Sequence, residues 1–221
     1  NSPIDIPYSI INVKLFNKKW RTNLAKVNSS TNGIIFKLGP SITNHYNPMV
    51  EKAVRKAVKE WACQTQINIK VGGNTAIDYD SLDNVSVIHL VNSFPNPATL
   101  GETTQNFTYC TDANGDTIFF AKEVDIAIKT NPNTGTWFYD TTNALPSLKQ
   151  DFYEAILHEL GHVNLLRHVN YNDLMYYSTQ FNAMDSILAI NRRTITSTDA
   201  SGGTDVIDRS INIQLSNCGY H

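Results

Sequence analysis

Residues 158–168 read HELGHVNLLRH, and this stretch decides how the rest of the chain is interpreted. His158 and His162 are four residues apart, so on an α-helix, at about 100° per residue, they lie on nearly the same face one turn apart. Two imidazoles in that arrangement can each place a ring nitrogen about 2.0–2.1 Å from one zinc ion. Glu159 projects beside that position, where its carboxylate can take a proton from a water molecule as the water attacks a carbonyl.

A third histidine follows at an extended spacing. His168 comes six residues after His162, which is too far around a continuing helix to reach the same metal. It reaches the metal if the helix ends near Asn164 and Leu165 and the chain turns back. Three neutral imidazoles and a water form an open, catalytic type of zinc site. A bare HExxH also occurs by chance in unrelated helices, so the zinc prediction depends on His168 and on the methionine that follows at position 175.

The residues before the motif predict the helix that carries it. Residues 149–157 place acidic side chains where a helix begins, and apolar side chains follow at Phe152, Ala155, Ile156 and Leu160. Ser147 stands just upstream, in a position to cap the helix.

The pattern HExxHxxxxxH followed by a methionine resembles the metzincin clan of zinc endopeptidases. The short interval from His168 to Met175, with the tripeptide Leu-Met-Tyr, is most similar to the matrixin branch. The resemblance implies that His158, His162 and His168 bind zinc and that Met175 forms a hydrophobic floor beneath the metal.

The same resemblance implies an α+β fold. We expect a twisted mixed β-sheet backed by a long helix, a zinc helix crossing under the cleft, and a small C-terminal subdomain with the methionine turn and a terminal helix. One catalytic domain would cover residues 1–221, with an upper subdomain over about 1–168 and a lower one over about 169–221.

One position departs from the family motif. The family has glycine seven residues after the first histidine, where the chain turns, and this chain has Leu165. A left-handed conformation costs a non-glycine residue about 1–2 kcal/mol, so we expect Asn164 to take the turn one residue earlier. If His168 were not a ligand, a downstream carboxylate such as Asp173 or Asp185 would replace it.

Hydrophobic periodicity predicts the elements around the motif. Asn47 and Pro48 open a helix whose apolar stripe runs from Val50 to Trp61. The predicted strands are Ile34–Leu38, Ile67–Val71, Val85–Val91 and Thr117–Lys129, and a last helix covers roughly 198–209. Asn114-Gly115 predicts a hairpin. Asp112, Asn114 and Asp116 also resemble the opening of a calcium loop, but its glycine is misplaced and its closing Glu is missing.

Two segments are candidates for contact with substrate. In matrixin-like enzymes an edge strand above the zinc carries a Leu-Gly pair similar to Leu100-Gly101 and binds the substrate backbone by strand addition. An ordinary surface loop is the alternative interpretation. After Met175, Tyr176 and Tyr177 should line the pocket for a substrate side chain. Tyr177 also has the spacing of the tyrosine that approaches the metal in astacin- and serralysin-like enzymes, which leaves a lining role or an oxyanion role open.

Composition excludes several classes of function. The chain has 221 residues with 18 Lys and Arg against 20 Asp and Glu, a formal net charge of −2. This balance argues against nucleic acid or an anionic membrane as a partner, and no apolar run is long enough to span a bilayer. Few Lys and Arg with abundant Asn, Thr and Ser are typical of a secreted or cell-surface protein, extracellular or periplasmic. We expect a monomer that acts on protein or peptide substrates.

These observations together predict a zinc metalloendopeptidase with Glu159 as general base. Two alternatives stay open. The first is a catalytically retired metzincin fold that keeps zinc and binds a partner. The second is a latent enzyme whose tail blocks the metal, with Cys218 or His221 as the blocking ligand. A zinc hydrolase acting on something other than peptides has the same motif.

Overall fold

The computed structural model describes residues 18–20, 34–111, 117–168, 174–175 and 193–211. Within these ranges the fold is α+β, with a mixed sheet packed against helices. The strands are β1 (Lys18–Trp20), β2 (Ile34–Leu38), β3 (Ile69–Asn74), β4 (Val87–Val91), β5 (Gly101–Thr111), β6 (Thr117–Lys129), β7 (Thr136–Phe138) and β8 (Lys149–Asp151). The helices are α1 (Pro40–Thr43), α2 (Met49–Thr65), α3 (Phe152–Val163) and α4 (Ser197–Ile211).

The main sheet is parallel except at one edge. Strands β3, β2, β4 and β6 lie side by side and run parallel, and β1 joins the first half of β6 in the same direction. Strand β5 pairs antiparallel with β6 along its length. On its other side β5 has no partner strand among the described residues.

The predicted strands are confirmed, with shifted bounds at two of them. β2 and β6 match their predicted bounds, whereas β3 and β4 each begin two residues later than the alternation indicated. The predicted hairpin is confirmed by the pairing of Thr111 with Thr117. The calcium interpretation of Asp112, Asn114 and Asp116 falls outside the described residues.

Helix α2 forms the support on which α3 rests. Helix α2 begins one residue later than predicted, so that Pro48 is its N-cap and Asn47 lies just before it. The Asn47 Oδ1 accepts a hydrogen bond of 3.0 Å from the Met49 amide. The apolar stripe of α2 is buried in the core, ending in the fully buried Trp61. The indole Nε1 of Trp61 donates a hydrogen bond of 2.8 Å to the carbonyl of Leu157, which ties the two helices together.

The start of α3 differs from the prediction. Ser147 does not cap the helix, because Lys149–Asp151 form β8 beside β7 and the helix begins only at Phe152. Asp151 is the cap, and its Oδ1 accepts from the amides of Tyr153 at 2.9 Å and Glu154 at 3.2 Å. A carboxylate at this end also complements the helix dipole. Arg193 forms an ion pair with Asp151, so the segment before α4 is attached to the start of α3.

The terminal helix is confirmed over Ser197–Ile211. It begins with a reciprocal cap, in which Thr196 Oγ1 accepts from the Asp199 amide at 3.1 Å and Asp199 Oδ2 accepts from the Thr196 amide at 3.1 Å. None of the helices in the described part of the chain has the length and apolar character that a bilayer crossing needs.

Candidate metal centre

Three histidine nitrogens meet at one point below β5. His168 Nε2 lies 3.0 Å from His158 Nε2 and 3.1 Å from His162 Nε2. Their potential ligand atoms all lie within 4.8 Å of one another, close enough to bind one metal ion. A tetrahedral ion with ligands at 2.0–2.1 Å separates two nitrogens by about 3.3 Å, and the two distances from His168 Nε2 lie near this value. The predicted convergence of His168 with the two helix histidines is confirmed.

Backbone carbonyls orient two of these rings. His158 Nδ1 lies 2.8 Å from the carbonyl oxygen of Leu174, and His162 Nδ1 lies 2.8 Å from that of Leu166. A carbonyl oxygen can only accept, so each Nδ1 carries the proton and each Nε2 presents a lone pair to the shared point. Burial lowers the pKa of His162 and of His168, which favours the neutral form that binds metal.

The turn after α3 is made by Leu165 itself. Leu165 has a left-handed φ of 61°, while Asn164 has a φ of −76°, so the expectation that Asn164 takes the turn is wrong. Leu165 N donates to His162 O at 2.8 Å and Leu166 N to Gly161 O at 3.1 Å, the pair of bonds of a Schellman motif. The side chain of Asn164 instead forms a hydrogen bond to the helix, in which its Nδ2 donates to Leu160 O at 2.8 Å.

Burial explains how leucine replaces the usual glycine. Leu165 is 1% exposed and belongs to the hydrophobic core. Burying a leucine side chain stabilises the fold by about 1.5–3 kcal/mol, which offsets the cost of the left-handed conformation.

Replacing Leu165 by glycine is therefore expected to destabilise the protein. The substitution relieves about 1–2 kcal/mol of backbone strain, but removing a buried leucine side chain costs more, about 2–5 kcal/mol for truncation to alanine alone. We expect a net loss of up to about 4 kcal/mol in the free energy of unfolding, measured by urea denaturation of the metal-free protein. A more stable variant would mean that strain outweighs packing at this turn.

Met175 packs against α3 at Gly161. It is fully buried, and a Cβ atom placed on Gly161 would lie only 2.1 Å from its Sδ. Because Gly161 has no Cβ atom, the side chain of Met175 can pack against the helix at this position. Tyr176, Tyr177, Asp173 and Asp185 lie outside the described residues, so their predicted roles stay predictions.

Glu159 lines the same cavity as His162 and His168. Its side chain lies against β5, where Thr103 Oγ1 donates to its Oε2 at 2.7 Å. A Cβ atom on Gly101 would lie 2.6 Å from Glu159 Oε1, so only glycine leaves room for the carboxylate. Burial raises the pKa of Glu159 to about 7, the hydrogen bond from Thr103 opposes this rise, and the nearby Glu102 adds to it.

A cavity of about 290 Å³ joins these groups. Strand β5 forms one side of it and α3 with the following turn forms the other, through Gly101, Glu102, Thr103, Gln105, Glu159, His162 and His168. Gly101 was predicted from the sequence, whereas Thr103 and Gln105 were not. Their period-two spacing from Gly101 places all three on one face of the strand, which is the signal that would have found them.

Leu100 lies directly before the edge strand β5. Its carbonyl accepts a hydrogen bond of 2.8 Å from the Lys129 amide, so it is part of the sheet ladder. In an antiparallel ladder the bonding direction alternates, so Gly101 and Thr103 direct their backbone groups away from β6. The open edge above the cavity therefore begins at Gly101.

No protein-family model matches this chain, and a search of curated proteins likewise finds no match. The resemblance to metzincins therefore depends on the motif residues alone.

Proposed function

We propose that this chain is a zinc-dependent endopeptidase of metzincin type. The observation that carries the proposal is the cluster of three histidine Nε2 atoms beside a cavity under β5 that Glu159 lines together with His162 and His168. His158, His162 and His168 would hold the metal. The matrixin-like subdomain arrangement and an extracellular or periplasmic location are parts of the same proposal.

The donor set supports zinc among the divalent metals. Three neutral imidazoles are borderline ligands that suit zinc, whereas calcium and magnesium prefer oxygen donors. Three protein ligands leave a position open, as catalytic zinc sites do. When bound, zinc supplies Lewis acidity that activates water and polarises a carbonyl group.

Glu159 would move the proton in this reaction. Its carboxylate takes a proton from the attacking water and later gives it to the nitrogen of the leaving amine, so the enzyme returns to its starting state. Its buried position beside Gly101 and Thr103 shields it from bulk water and keeps it in the cavity.

The edge of β5 would bind the substrate. An extended peptide can pair with the outward backbone groups of Gly101 and Thr103, and this pairing would place its scissile bond beside the histidines. Such recognition uses the main chain of the substrate, which favours a peptide over other carbonyl compounds.

A retired binding protein is the second candidate, and the buried acid argues against it. Burying a carboxylate costs free energy, as the raised pKa of Glu159 reflects. A protein that used zinc only for structure would have no need for an acid there. A latent enzyme would keep the acid and would cleave peptides only after its tail is removed.

Cleavage of casein or gelatin by the purified, zinc-loaded protein tests the proposal. We expect cleavage that stops with a zinc chelator and returns when zinc is restored. One bound zinc without cleavage, both before and after removal of residues 212–221, would contradict the peptidase function and favour a binding role. Cleavage only after that truncation would identify the latent form.

A further inference from the structure

Thr103 contacts Glu159 at two atoms. Its Oγ1 lies 2.7 Å from Glu159 Oε2 and 3.0 Å from the Glu159 backbone oxygen. One acceptor lies at the end of the side chain and the other at its backbone. A single hydroxyl group therefore fixes the carboxylate relative to the helix that carries two of the histidines.

The contact leaves the two carboxylate oxygens in different surroundings. Oε2 is held by Thr103, while Oε1 lies below Gly101 and accepts no hydrogen bond from the described part of the chain. A hydroxyl has one proton to donate, and a charged carboxylate is its stronger acceptor. The geometry thus gives Oε2 to the protein and leaves Oε1 beside Gly101, a residue that lines the cavity.

Strand β5 holds α3 at a second point on the same face. Gln105 Nε2 donates to the backbone oxygen of His162, one turn further along the helix. Thr104, between the two, points the other way and donates to Asp80 Oδ2 at 3.0 Å. The alternation of the strand therefore separates residues that contact α3 from residues that do not.

We infer that Thr103 is a positioning residue that directs Glu159 Oε1 toward the reacting water. The catalytic consequence rests on the proposed peptidase function, whereas the contact with Glu159 does not. A general base must lie within hydrogen-bond reach of the proton it takes, and a misplacement of about 1 Å can cost roughly 100-fold in rate.

Three variants test the role of the hydroxyl. Thr103→Val removes it with little change in shape and suits a strand, Thr103→Ser keeps it, and Thr104→Val makes the same change on the opposite face. We expect Thr103→Val to lower kcat on a peptide roughly 10–100-fold with KM and zinc content unchanged. Thr103→Ser should stay within about threefold of the parent, and Thr104→Val should match the parent.

A second readout does not depend on turnover. Acetohydroxamate chelates metal ions and can form a hydrogen bond with a neighbouring carboxylate, so its Kd for the zinc-loaded protein reports where Glu159 points. We expect Thr103→Val to increase the Kd for acetohydroxamate roughly tenfold when Glu159 is present. In a Glu159→Gln background, Thr103→Val should cause no further increase in this Kd.

The outcomes separate the two proposals. Zinc binding without peptide cleavage in the parent would count against the peptidase function, while the acetohydroxamate cycle would still decide the role of Thr103. Unchanged acetohydroxamate binding in Thr103→Val would overturn the inference. The inference would also be overturned if Thr103→Val lowered the affinity for acetohydroxamate equally in the presence of Glu159 and in the Glu159→Gln background. A protein that binds no zinc would overturn both.

Discussion

Replacing Glu159 by glutamine is expected to lower peptide hydrolysis about 10³-fold while one zinc ion per chain stays bound. Glutamine has nearly the same size and keeps an oxygen that can accept the hydrogen bond from Thr103. It cannot take a proton at the pH of the assay, so only the general base is lost. Zinc should remain because backbone carbonyls, and not this carboxylate, orient the rings of His158 and His162. The measurements are kcat on a peptide substrate and metal content by atomic absorption.

The control for this variant removes a carboxylate elsewhere. Glu60→Gln changes the same group on α2, away from the cavity, and should leave kcat and zinc content at the parent values. Activity within tenfold of the parent in Glu159→Gln would contradict the proposed base. Loss of zinc together with activity would mean that Glu159 supports the metal ligands rather than the proton transfer.

Sequence patterns predicted most of the regular elements because those elements depend on local features. The stripe of α2, the alternation in β3 and the Thr196–Asp199 cap of α4 are each visible in the sequence. Local sequence does not determine where α3 begins, since Ser147 and Asp151 are both good caps. The pairing of β8 with β7 decides between them, and that contact is not visible in local sequence.

In the candidate site too, some features could be predicted from local sequence, whereas others depend on tertiary contacts. The spacing of His158, His162 and His168 predicts their convergence, because the helix period and one turn suffice to bring them together. The turn conformation was predicted wrongly, since burial of Leu165 outweighs its local preference. The role of Thr103 depends on how β5 lies over α3, a tertiary contact 56 residues apart in sequence.

Replacing His168 by alanine is expected to weaken zinc binding by at least about 1000-fold, beyond the 10–100-fold typical of losing an outer hydrogen-bond partner. Two histidines one helical turn apart would remain, with no third nitrogen from the turn. The Kd for zinc can be measured by competition with a chromophoric chelator. The increase in thermal midpoint that zinc gives the parent should also disappear, because that increase depends on the ratio of free zinc to its Kd.

The matched control is His45→Ala, which removes a half-buried imidazole that lies outside the cluster and contacts Asn47. It should bind zinc as the parent does. If His168→Ala also keeps the parent Kd, the third ligand is not this histidine. A combined His168→Ala and Asp173→Asn variant would then show whether a downstream carboxylate takes its place. Because His168 is the residue that distinguishes this cluster from a chance HExxH pair, retained affinity in that double variant would remove the main support for a catalytic zinc site.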